Sequence, residues 1–283
     1  MSLIDVKGLK KSYGDVHAVR GVDLEIAQGE IFSLLGPNGA GKTTTVEILE
    51  GYRNRDAGSV SVLGFDPQTR GEQSRHWRNR IGIVLQTSAD AGDLTVLETI
   101  KHFSGYYSNP RKVDEVIHAV GLVEKADALI RNLSGGQRRR LDVALGIIGS
   151  PELLFLDEPT TGFDPEARRA FWALIKQLRS DGTTILLTTH YLDEAEALAD
   201  RVAVINKGVI VEVSTPGELG GRATSQATVQ WRDGDSIKSE KSDNPTALVA
   251  QLSARFGGEI PELVVSRPSL EDIYLEMIGG ANE

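Results

Sequence analysis

Ile31-Phe-Ser-Leu-Leu-Gly36-Pro-Asn-Gly-Ala-Gly-Lys42-Thr43-Thr44 is the stretch that decides the fold of this chain. The apolar run Ile31–Leu35 suits a central strand covered on both faces. Gly36–Gly41 then turns the chain, and a helix is expected through Leu49. Gly36 to Thr43 fills every fixed position of G-x-x-x-x-G-K-[ST]. In that pattern the glycines let successive backbone N–H groups converge on a phosphate. Lys42 reaches the β and γ oxygens, and the Thr43 hydroxyl is placed for Mg²⁺. The helix N-terminus adds partial positive charge. Gly36, Pro37, Asn38, Gly39, Ala40, Gly41, Lys42, Thr43 and Thr44 are therefore expected to line the phosphates of a nucleotide such as ATP.

Further along, Leu153-Leu-Phe-Leu-Asp157-Glu158 reads as a buried strand that delivers two carboxylates at its tip. Asp157 is the candidate for the Mg²⁺ shell. Glu158, one residue on, is the candidate general base for an attacking water. Between the two motifs stands Leu133-Ser134-Gly135-Gly136-Gln137. It reads as a second anion nest at a helix start, and equally as Ser134 capping a helix behind a glycine turn. One nucleotide needs one phosphate loop, so a second nest asks for a reason.

These three motifs, in this order, resemble those of the ABC ATPases, with Ser134–Gln137 in the place of their signature. The resemblance covers roughly Leu3 to Val213. It implies a P-loop NTPase core of the α/β class, with a RecA-like parallel sheet, an antiparallel β subdomain and an inserted helical subdomain. It also implies Mg²⁺-dependent ATP hydrolysis in a dimer, where Ser134, Gly135, Gly136 and Gln137 of one subunit close over ATP held by the other. Further roles follow from the resemblance alone. Tyr13 matches the aromatic that stacks on adenine, and Gln86 the glutamine that touches Mg²⁺ and water. Asp164, in Gly162-Phe-Asp164, matches the loop that crosses the dimer interface, although leucine is usual where Phe163 stands. His190 matches the histidine at the γ-phosphate. Arg138–Arg140 reads as a solvated helix face.

Outward from these motifs, strands are expected at Ile4–Leu9, Val16–Ile26, Ile81–Leu85, Ile185–Leu187 and Val202–Ile205, and helices at Pro165–Arg179 and Leu192–Ala199. Strands alternating with helices point to parallel central pairing. The stretch from about 90 to 147 has helical spacing without strands and reads as the inserted subdomain. Composition changes after Ser214, where Thr215-Pro-Gly breaks the chain. The expected division is an ATPase domain over 1–214 and a small α+β extension over 215–283. The end, Pro268-Ser-Leu-Glu-Asp-Ile-Tyr-Leu-Glu-Met-Ile-Gly279, resembles the C-terminal stretch of ATPase subunits that serve drug and polyketide exporters.

Over 283 residues the formal net charge is −9, which argues against binding a nucleic-acid backbone as the main task. The absence of cysteine excludes disulfides, thiolate metal sites and cysteine nucleophiles. No apolar run approaches the roughly 20 residues that cross a bilayer. The expectation is a cytoplasmic ATPase subunit held at the inner face of the membrane by a separate polytopic permease, paired with a second ATP-binding subunit as a homodimer. The expected cargo is a drug, lipid or other hydrophobic or glycosylated compound. A soluble ABC ATPase without a transporter and an importer subunit are the alternatives.

Overall fold

The computed structural model describes residues 2–85 and 92–279. In chain order the elements are β1 (Ser2–Tyr13), β2 (Val16–Ala27), β3 (Ile31–Leu35), α1 (Lys42–Leu49), β4 (Ala57–Val62), α2 (Glu72–Arg78), β5 (Ile81–Val84), α3 (Val96–Ser104), α4 (Val113–Ala119) and α5 (Gly135–Ile147). There follow β6 (Leu153–Asp157), α6 (Pro165–Ser180), β7 (Thr184–Thr189), α7 (Leu192–Leu198), β8 (Arg201–Asn206) and β9 (Val209–Ser214). The last elements are β10 (Ala227–Asp233), β11 (Ser236–Ser242), α8 (Pro245–Phe256), β12 (Val264–Ser266) and α9 (Leu270–Gly279). The chain divides into two compact units, Met1–Val211 and Glu212–Glu283.

The first unit is built on a sheet of order β5-β6-β7-β3-β8-β9. β3 pairs in parallel with β7 and β8, and β6 pairs in parallel with β5 and β7. Every residue of β3 and β7 is buried, as are the first four of β6, which is what runs such as Ile-Phe-Ser-Leu-Leu require between two helical layers. Parallel strands aim their carboxyl ends the same way, so Gly36, Glu158 and His190 leave the sheet on one edge.

A second, antiparallel sheet has the order β2-β1-β4. Ile4 and Val6 of β1 face inward, then the register shifts against β2 between Val6 and Leu9 and against β4 between Lys7 and Lys10, and the next buried residue is Leu9. β4 carries no strand signal in the sequence. Its Ala-Gly-Ser start lacks an apolar pattern, and backbone pairing with β1 defines it. α2 and β9 likewise add to the elements expected from the sequence.

The stretch 92–149 holds helices and no strand. α3 starts on a reciprocal cap, in which Thr95 accepts from the Glu98 N–H and Glu98 accepts from the Thr95 N–H. Val96, Ile100, Val116, Ile117, Val143 and Ile147 share one buried cluster with residues of the central sheet such as Leu154 and Leu156. No helix among the described residues is long and apolar enough to cross a membrane.

The second unit has its own sheet, of order β11-β10-β12, all antiparallel. Val229 and Trp231 of β10 pack with Leu252 of α8 and with Ile260. Asn244 caps α8 ahead of Pro245, and Gly257 ends it in the left-handed conformation. On α9, Leu270, Ile273 and Tyr274 are buried within this unit.

Candidate active site

The phosphate loop is shaped by two glycines that nothing larger can replace. A Cβ on Gly36 would lie 2.3 Å from the Ile205 carbonyl oxygen. Gly41 sits at φ 104°, and a Cβ there would lie 2.4 Å from the Ala18 carbonyl oxygen. Gly41 also precedes α1 with no side-chain cap on the helix. The first-turn amides of α1 thus follow a residue that offers them no side-chain oxygen, which is the setting in which an anion is taken up.

Lys42, only 5% exposed, folds back over this loop and donates to the Gly36 carbonyl at 2.8 Å and to Pro37 at 3.3 Å. Its ammonium stands 3.5 Å from a Glu158 carboxylate oxygen. The other oxygen of Glu158 is 3.2 Å from Nδ1 of His190. Lys42 at the start of α1 and His190 just after β7 thus meet at the carboxylate of Glu158, just after β6. The backbone of Glu158 is left-handed, at φ 42°, and its N–H donates to the Thr188 carbonyl and hydroxyl at the end of β7. A non-glycine residue in this region costs roughly 1–2 kcal/mol, so its surroundings must hold it there.

Asp157 ends β6 and accepts a hydrogen bond from the Thr188 hydroxyl. Thr43 and Thr44 lie in the first turn of α1, with Thr43 exposed. No group of three or more carboxylates or imidazoles suited to a metal occurs among the described residues. Mg²⁺ bound with a nucleotide needs only one or two protein oxygens beside phosphates and water, so the hard donors Thr43 and Asp157 fit it. Behind them, burial pushes the Glu50 carboxyl up to about 8, with Asp157 and Glu47 adding to the shift. Gln86 lies outside the described residues. Tyr13 is 40% exposed at the end of β1, with the Lys11 ammonium and the Arg53 guanidinium 5.5 and 5.4 Å from its ring centre.

Ser134 is the N-cap of α5. It accepts from the Gln137 N–H at 3.2 Å, and Gln137 accepts from the Ser134 N–H at 3.0 Å. Asp164 caps α6 from one side, accepting from the Ala167 N–H at 2.8 Å. Together with Gly136, Arg140 and Glu166 they line an open cavity of about 390 Å³ that includes no residue of the phosphate loop. Phe163 meets Phe171 edge-on at 5.7 Å, so the ring standing where leucine is usual packs into the core.

One expectation is overturned. Arg138–Arg140 do not form a solvated face. Arg139 is buried, at 7% exposure, and its two neighbours are half-buried. Three identical residues in a row hide the difference. Helical spacing holds the only hint, because Arg139 falls in line with the buried Val143, Gly146 and Ile147. Two buried carboxylates stand outside the sequence motifs: Glu50, and the wholly buried Glu194, whose carboxyl is pushed up by burial. Nothing local in the sequence marks either one.

A phosphate loop, an acidic strand end and a capped signature helix in one unit define a known arrangement, and a family model described as ABC transporter matches residues 19–161. This chain belongs to the ABC transporter ATP-binding family. It is 38% identical to the Nod factor export ATP-binding protein I of Rhizobium sp. (strain N33), over 98% of this chain and 97% of that protein. It is 35% identical to the daunorubicin/doxorubicin resistance ATP-binding protein DrrA of Streptomyces peucetius, over 98% and 92%. Its fold is that of the ATP-binding cassette MJ0796, solved as a dimer in a post-hydrolysis state with ADP and Pi (TM-score 0.68, 24% identity, 75% of this chain and 98% of that one). The ABC protein described here is accordingly an ATPase, and ATP is its substrate. Both ABC relatives align through the second unit as well as the first.

Proposed function

We propose that this ABC ATPase works as a head-to-tail homodimer that powers export through a separate polytopic permease on the cytoplasmic face of the membrane. The observation that carries the proposal is the division of the site. Lys42, Glu158 and His190 converge within 3.5 Å at one corner, while Ser134 and Asp164 border a cavity that shares no residue with the phosphate loop. A second copy supplies what each corner lacks.

In this reading the amides of Gly36–Thr44 cradle the phosphates and Tyr13 stacks on adenine. ATP displaces the Lys42 ammonium from the Gly36 and Pro37 carbonyls onto the β and γ oxygens. That movement also releases Glu158 from Lys42, leaving it to accept a proton from water. His190 and Lys42 stabilise negative charge on the transferring phosphoryl group. Mg²⁺, when bound, neutralises phosphate charge; Thr43, Asp157 and Gln86 would hold it. Ser134–Gln137 and Asp164 act on the nucleotide of the partner.

The relatives that export Nod factor or confer daunorubicin resistance support export of a hydrophobic or glycosylated compound. The test is purification of tagged Glu158→Gln protein from membranes with ATP, followed by mass spectrometry. Two copies bound to a polytopic membrane protein are expected. Recovery of ribosomes or nucleic acid, or a monomer that hydrolyses ATP at the unmodified rate, refutes the scheme; a co-purifying solute-binding protein would turn export into import.

A further inference from the structure

We infer that Arg139 is a positioning residue that locks the backbone of Glu158 in its hydrolytic conformation and ties it to the signature helix. The inference rests on the reading of Glu158 as the general base. Arg139 lies in α5, five residues beyond the cap Ser134. Its guanidinium is buried and donates from all three nitrogens to backbone carbonyls: Nε to Pro159 at 3.0 Å, Nη2 to Asp157 at 2.9 Å and Nη1 to Leu85. The Asp142 carboxylate of the same helix stands 3.8 Å from Nη1.

The first two acceptors are the carbonyls on either side of Glu158. They bracket the one residue of this turn whose φ is strained, at 42°. On the opposite side the Glu158 N–H is held by Thr188. With the turn gripped from both sides, the carboxylate has one place to be, against Lys42 and His190. Leu85, the third acceptor, follows β5 directly and precedes Gln86. One side chain thereby joins the signature helix, the exit of β5 and the turn of the base.

Burying a guanidinium is expensive unless every donor is used, so a hydrophobic or neutral side chain would serve packing better here. A planar fork can span three carbonyls in fixed directions, whereas an ammonium is a point donor on a flexible stem. Both considerations favour a geometric task over a contribution to stability. Displacement of the α5 N-terminus by a nucleotide on the partner would be passed through five residues of rigid helix to the carbonyls around the base.

Arg139→Gln and Arg139→Lys in the full chain test this, with Glu158→Gln alongside. The readouts are ATP dissociation constant, kcat, KM and thermal midpoint. Arg139→Gln is expected to lower kcat by about 10–100-fold, the cost of misplacing a reacting group by around an ångström, with ATP affinity held within about threefold. Arg139→Lys should recover only part of kcat. In a Glu158→Gln background, Arg139→Gln should add no further loss, because the residue acts through the base. A wild-type kcat in Arg139→Gln overturns the inference, and so does a loss of ATP affinity as large as the loss of kcat. Full turnover in Glu158→Gln overturns instead the assignment of the base, whatever Arg139 does. If Arg139→Gln fails to fold, Arg139→Lys decides: unchanged kcat in a folded Lys variant refutes the fork.

Discussion

Glu50→Gln tests whether a proton is stored behind the phosphate-loop helix. Glu50 ends α1 at 6% exposure, and its carboxyl is pushed from the usual 4.5 to about 8. Burial is the main cause, with the charges of Asp157 and Glu47 acting in the same direction. The native chain therefore keeps a proton that the unfolded chain gives up. The stability this group contributes is whole below about pH 4.5, declines as pH rises, and is fully lost above about pH 8. Each pH unit in that window costs about 1.4 kcal/mol, and the whole window on the order of 5 kcal/mol. Gln has the shape of the protonated acid and no proton to lose. The assay is denaturant unfolding of nucleotide-free wild type and Glu50→Gln at half-unit steps from pH 5 to 8.5. The variant should match wild type at the acidic end and exceed it increasingly toward pH 8. A difference that stays flat across the series refutes the buried-proton argument.

Gly41→Ala should weaken ATP binding by about tenfold or more, since its Cβ meets the Ala18 carbonyl at 2.4 Å in a left-handed turn; titration with a fluorescent nucleotide that returns wild-type affinity refutes this. Trp77→Ala should cost about 3–5 kcal/mol in denaturant unfolding, because the ring is fully buried. Trp77→Phe should cost markedly less: the indole N–H has no partner among the described residues, so no hydrogen bond is lost.

The family was legible in the sequence because its chemistry is local. A phosphate cradle needs glycines and a lysine within eight consecutive residues, and Asp157 with Glu158 needs a buried strand directly before it. Central strands could be read for the same reason, since burial on both faces writes itself as an apolar run. What escaped were elements defined by their neighbours. β11, Ser-Ile-Lys-Ser-Glu-Lys-Ser, has a single apolar residue, which is exposed, and exists because its backbone pairs with β10 from Ala227↔Ser242 to Asp233↔Ser236. β4 exists by the same pairing with β1.

The site divides in the same way. Lys42, Glu158 and His190 are candidates from three separate stretches of sequence, but that Lys42 and His190 meet at the Glu158 carboxylate is a product of the order β6-β7-β3, with parallel strands carrying distant residues to one edge. Arg139 is the sharper case. Among three adjacent arginines, the tertiary structure alone buries the middle one against the carbonyls of Leu85, Asp157 and Pro159, because helix phase and long-range packing choose which side chain faces the sheet. The sequence by itself determined the chemistry and the family, since these depend on which groups lie within a few residues of one another. Only the tertiary structure decided which charges are buried and which groups surround Glu158, since those depend on groups far apart in the chain.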